Sequence, residues 1–216
     1  MMKYVPIYAL LMFAFCTSCK GQNKTDLPKD NVKSETKDEI TSHELNTFTR
    51  NILDVDTGVV IQNSLPLGGP YIDPTGKRFG YAIFWTRVIN KTVTPLEIKI
   101  NFPADSFTIF PSPDSYLKLF LPPGEMTLDK EPLPDYGAIG LKFFMDTDLH
   151  KPTMLQRIIH PKEECLFYIG MLFRVPDNGP VRTGLVLKGQ DLFYRISIAK
   201  QIESALIPCG RITFKE

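Results

Sequence analysis

Between Leu96 and Phe102 the side chains alternate without a break. Leu96, Ile98, Ile100 and Phe102 are apolar; Glu97, Lys99 and Asn101 are polar. A period of two puts the first set on one face of an extended strand and the second on the other, so this segment is a strand with one dry and one wet face. The stretch just before it, Tyr81–Ile89, is apolar on both faces and reads as a central strand covered on at least one side. Its single tryptophan, Trp85, is expected to be a buried anchor between sheets. Only the turn-forming segment 90–95 separates the two strands, which predicts an antiparallel hairpin.

The same patterns recur along the chain. Ile52–Ile61 suggests a hairpin around Asp56-Thr57-Gly58, and Leu117, Leu119 and Leu121 alternate with Tyr116, Lys118 and Phe120. Further strands are expected near Phe107–Phe110, at Met154–Ile159 and Glu164–Val175 around a His160–Glu163 turn, at Gly184–Leu187 and Leu192–Ile198 around Lys188–Asp191, and at Arg211–Lys215. Two Pro- and Gly-rich stretches, Pro66–Gly80 and Pro122–Gly137, read as long loops, and Gly140–Asp146 as a helical turn. Many short strands with such turns predict an all-β fold. The expected form is an antiparallel two-sheet sandwich, loosely immunoglobulin-like, with a β-barrel as the alternative.

The N-terminus carries a different signal. Lys3 precedes an apolar run from Tyr4 to Phe15, too short for a membrane span of about 20 residues but of signal-peptide length. Thr17 and Ser18, both small, lead into Cys19, whereas the bulky Phe15 precedes Cys16. Ser18-Cys19-Lys20-Gly21-Gln22 resembles the start of lipoproteins of the Bacteroidota. The resemblance covers about the first two dozen residues. It implies acyl chains on Cys19 and an outer-membrane address, and implies nothing about activity. Lys20 in place of a retaining aspartate, with only Asp26 near among acids, favours a periplasm-facing position. Residues 1–18 are thus expected to be the signal, 19–46 a polar, mixed-charge tether, and 47–216 one β-rich domain.

A net charge of +1 argues against a nucleic-acid partner. Of the four cysteines, Cys165 and Cys209 are left to the mature domain. In an oxidising compartment they are candidates for a disulfide, with two buried free thiols as the alternative. No cofactor is implied. The three histidines, His43, His150 and His160, have no ligand spacing, so no metal site is expected. Asp146-x-Asp148-x-His150 reads as an exposed loop. Asp54-x-Asp56-x-Gly58 fails as a calcium loop because the closing acid would fall at Leu65. Two Ser-x-x-Lys matches, Ser34/Lys37 and Ser115/Lys118, lack a helical setting, and no Gly-x-Ser-x-Gly elbow is present.

Nothing in this inventory is a catalytic signature. The expected function is a non-catalytic binding or accessory domain of a cell-envelope lipoprotein, held at the membrane by its lipid and facing an envelope protein or glycan. Tyr71, Lys77, Arg78 and Tyr136, on the two long loops, are the candidate binding residues. The alternatives are an envelope hydrolase acting on glycan or peptidoglycan, and an inhibitor or assembly factor that adds an edge strand to a partner.

Overall fold

A computed structural model describes residues 51–55, 58–108, 115–174, 181–198 and 205–215. In chain order the strands are β1 (Asn51–Val55), β2 (Val59–Asn63), β3 (Leu67–Ile72), β4 (Arg78–Asn90), β5 (Leu96–Phe102), β6 (Tyr116–Phe120), β7 (Thr153–Ile159), β8 (Glu164–Arg174), β9 (Val181–Lys188), β10 (Asp191–Ile198) and β11 (Ala205–Phe214). A helix, α1 (Leu141–Thr147), and two short 3₁₀ turns, Leu128–Lys130 and Pro134–Gly137, lie between β6 and β7. The signal, Cys19 and the whole tether fall outside the described residues, as do Asp56 and Thr57 of the first hairpin turn.

The fold is an antiparallel two-sheet sandwich, and its sheets do not close into a barrel. The first sheet runs β1-β2-β4-β8-β6, with β3 added along the front half of β4; the second runs β7-β5-β11-β10-β9. As expected, β4 is central: it pairs with β2, β3 and β8. The β9–β10 hairpin also forms as read, its two-residue turn placing Gly189 at φ 63°.

The connections after β4 and β7 differ from expectation. β4 and β5 lie in different sheets, as do β7 and β8, so both predicted hairpins are corners that cross the sandwich. The reason is visible at Asn90, which is fully buried. Its Nδ2 donates to the carbonyls of Thr94 (2.9 Å) and Ile159 (3.0 Å), and its Oδ1 accepts from Thr92 N and Oγ1. Its backbone bonds Glu163 O and Lys162 N. One side chain thus locks both corners and satisfies polar groups that leave the ladders there.

The segment 66–80, read as a loop, is the β3–β4 hairpin instead. Pro70 fits because β3 is an edge strand. Gly68 is required: a Cβ there would stand 2.2 Å from the Tyr81 carbonyl oxygen.

Alternation on β4 divides the interior into two cores. Ala82, Phe84 and Val88 face the second sheet, where they pack with Ile98, Ile100, Phe102, Leu185, Tyr194 and others. Ile83 and Trp85 face outward, under a cap formed by the segment between β6 and β7, with Met126, Tyr136, Leu141 and Met145. Trp85 is therefore buried as expected but lies under the cap, not between the sheets. Covering on both faces is what makes Tyr81–Ile89 apolar throughout.

Cys165 and Cys209 are free thiols, in place of the candidate disulfide. They stand on opposite sheets and at different levels. Cys165 is opposite Val88, close to the Asn90 corner, whereas Cys209 adjoins Gly210, opposite Ile100. Burial pushes the Cys209 thiol up to about 12, and its Sγ–H points at Leu192 O.

Candidate binding groove

Where the cap ends, the outer face of the first sheet is left partly open. The opening lies between the C-terminal end of α1 and the β3–β4 turn. It is a groove of about 490 Å³, within the range of small-ligand sites. Its floor is Phe79, Tyr116, Met145 and Leu172; Asp73, Lys77, Asp146 and His150 stand at its rim.

The turn is shaped by Asp73. Its Oδ1 accepts from Thr75 N (2.9 Å), Thr75 Oγ1 (2.7 Å) and Lys77 N (2.8 Å), which closes the hairpin and presents Lys77. These bonds, led by the Thr75 hydroxyl, hold the Asp73 carboxyl below its ordinary range. Across the groove, the Tyr71 hydroxyl donates to Asp146 Oδ1 (2.7 Å), and Lys142 Nζ to Oδ2 (2.6 Å). Lys142, then Tyr71, depress the Asp146 carboxyl. Burial first, then the Asp146 bond, raises the Tyr71 phenol far above its ordinary value. The hairpin and the cap are thereby joined.

The rings form one wall. Phe79 meets Tyr116 edge-on at 5.3 Å between centroids and Tyr71 at 6.4 Å. Lys77 stands 5.6 Å from the Phe79 centroid and Lys142 5.7 Å from that of Tyr71.

The chemistry open to this arrangement is recognition. Both carboxylates are ionised at neutral pH, whereas a glycosidase needs one held protonated as the acid. Tyr71 is locked as a donor. Among the described residues, no group of three His, Cys, Asp or Glu could hold a metal ion.

The four candidate residues separate. Tyr71 and Lys77 share the groove, but Tyr71 is buried and presents little more than its bond to Asp146. Arg78 lines a second, more apolar hollow of about 600 Å³ on the other face of the same hairpin, with Pro70, Gly80, Phe173 and Arg174. Tyr136 belongs to neither. It is buried under the cap, its hydroxyl donating to Leu65 O (2.7 Å).

Asp146 and His150, read as loop residues, both line the groove, while Asp148 pairs with Lys151 (2.5 Å). Their spacing of four is the helical signal that places both on one side of the α1 end. Phe79 and Tyr116 carried no such signal; only the pairing of β4 and β6 on either side of β8 brings them together. Of the Ser115/Lys118 match, Lys118 is nearly fully buried, and its Nζ donates to Pro103 O.

Comparison of the chain with protein-family models, with curated proteins and with solved structures finds no match.

Proposed function

We propose that this chain is a lipid-anchored cell-envelope protein whose sandwich domain binds a glycan without catalysis, in the groove between the β3–β4 turn and α1. The observation that carries this reading is the groove's make-up: an apolar, ring-bearing floor rimmed by carboxylates, an ammonium and an imidazole. Sugars present apolar C–H faces and many hydroxyls, which such a surface matches. Cys19 supplies the membrane anchor.

The test is calorimetric titration of the full chain, carrying Cys19→Ala for solubility, with a panel of neutral oligosaccharides and soluble peptidoglycan fragments. At least one should bind. Asp146→Asn and Phe79→Ala should each weaken that binding by tenfold or more without changing the melting midpoint by more than a few degrees. If no saccharide binds, the glycan reading is lost and a protein partner takes its place. The alternative is a hydrolase. Release of cleaved product in the same titrations would establish that reading instead.

Labelling of Cys19 with an acyl-chain probe in cells tests the anchor. Label that persists in Cys19→Ala but is lost in Cys16→Ala would move the anchor to the other cysteine.

A further inference from the structure

Among the described residues, nothing caps the outer face of the second sheet. Its residues follow from the register: Leu192, Tyr194 and Ile196 point inward, so Asp191, Phe193 and Arg195 point out, and the same parity places Lys99, Lys188 and Arg211 beside them. Lys215 joins them at the end of β11. With Arg182, opposite Ser197 on β9, the described residues of this face hold six cations against two carboxylates, Glu97 and Asp191, in a chain whose net charge is only +1.

The cations are not dispersed as solubility alone would have them. Lys188, Asp191, Arg211 and Lys99 form one cross-strand row, with Arg211 directly opposite Lys99. Like charges in that relation destabilise a sheet. Glu97 offsets Lys99 at 3.4 Å and Lys215 at 2.8 Å, and Asp191 is 3.5 Å from Arg211, all weak by exposure of the cations. The row keeps a positive excess that an external anion would relieve.

One further feature identifies the anion as a surface. Met154 (72% exposed), Ile158 (55%) and Leu206 (38%) stand among the cations on the same side of the sheet. A bilayer interface accepts apolar tips and cations together, whereas a dissolved polyanion has no use for the former.

We propose that the outer face of the second sheet docks on an anionic phospholipid surface, with the Lys188–Arg211–Lys99 row against the headgroup phosphates. This goes beyond the groove, which lies on the first sheet and is left free for ligand.

The experiment is co-sedimentation of the full chain carrying Cys19→Ala, so that no acyl chain contributes. Vesicles of phosphatidylcholine alone are compared with vesicles containing phosphatidylglycerol. Binding is expected only to the second kind, and should fall as salt is raised. Each cation near such a surface contributes about 1 kcal/mol, so Lys99→Ala with Arg211→Ala should weaken partitioning roughly twenty-five-fold. Lys130→Ala, on the cap, should leave it unchanged. If the first double variant melts abnormally, Lys188→Ala with Arg195→Ala gives the same reading. Equal binding to both vesicles, no binding to either, or undiminished binding by a folded double variant overturns the proposal. So does binding to soluble dextran sulfate with none to vesicles.

Discussion

The two faces of the first sheet are buried in different ways. The inner face is covered by a second sheet whose own ladders satisfy most of its backbone, so its core is mostly aliphatic and aromatic; the buried Asn63 ties Thr86 to the Leu185 backbone, and Tyr194 exchanges a hydrogen bond with Thr183 at 2.8 Å. The outer face is covered by irregular chain. There the backbone has no ladder, and tyrosine hydroxyls bond it instead. Tyr136 donates to Leu65 O and Tyr168 to Tyr136 O (2.8 Å), and Tyr81 donates to the Asp135 carboxylate (2.8 Å). These bonds hold Asp135 and Tyr136 at φ 47° and 55°, a left-handed geometry that costs about 1–2 kcal/mol per residue. Regular structure covers a sheet with few polar side chains, because its ladders satisfy most of the backbone. Covering it with irregular structure requires polar atoms inside the core, and the groove opens where that polar cover ends.

The largest expected effect tests whether the cap core is a true core. Trp85 and Phe84 are neighbours on opposite faces of β4, both essentially unexposed. Trp85→Ala and Phe84→Ala should each cost about 3–5 kcal/mol in urea denaturation. A cost below about 1 kcal/mol for Trp85→Ala alone would mean the cap is a loose cover. Trp85 emission should be blue-shifted and shielded from acrylamide; emission that responds to an added sugar would make Trp85 part of a glycan platform.

Next in size is Asn90→Ala. It strips the two sheet-crossing corners of their shared partner and takes the side-chain donor from the buried Ile159 carbonyl and the acceptor from Thr92 N, so about 2–3 kcal/mol should be lost. If stability is unchanged, water replaces the side chain and Asn90 does not fix the crossing. Smaller again is Tyr136→Phe, which removes one of two donors to Leu65 O and leaves Ser64 Oγ as the other, for about 1 kcal/mol. An equal loss on removing the Tyr194 hydroxyl would erase the distinction drawn between the two cores.

The inner core was legible because it follows a period of two. Leu96–Phe102 and Tyr81–Ile89 needed no more than alternation and its absence. What alternation does not carry is which sheet a strand joins. The residues 90–95 have ordinary turn chemistry, and only the burial of Asn90 against Ile159 makes them a corner. The cap was illegible for a related reason. Its contacts are side chain to backbone over long separations, as from Tyr136 to Leu65, and no local spacing encodes them. Hence Tyr136 read as a binding residue when it is a brace, and Asp146 as a loop residue when it ties the hairpin to α1. In the same way Cys165 and Cys209 suggest a bridge by compartment and parity, while the structure holds them as free thiols on different sheets.

The smallest effect is the one that separates the two faces by pH. The inter-sheet core contains no carboxylate among its described residues. The cap depends on several: Asp129, Asp146 and Asp148 all have carboxyls held below their ordinary range, by Thr127, Lys142 and Lys151 respectively as the leading cause. A carboxyl depressed in the folded state contributes stability that is fully present above its unfolded value, here 3.8, and is lost as pH falls through the lower folded value. The loss therefore begins below about pH 4 and falls on the cap. On the second sheet, Glu97 is held at about 2 by Lys215 and Gln156, so that face keeps its pairing further into acid. Local opening needs less free energy than global unfolding. On acidification from pH 5 towards 2, Trp85 emission should shift to the red before the far-ultraviolet signature of the sheets is lost, and Asp146→Asn should abolish part of the gap. Coincident transitions would show that cap and sandwich unfold as one unit, however differently their cores are made.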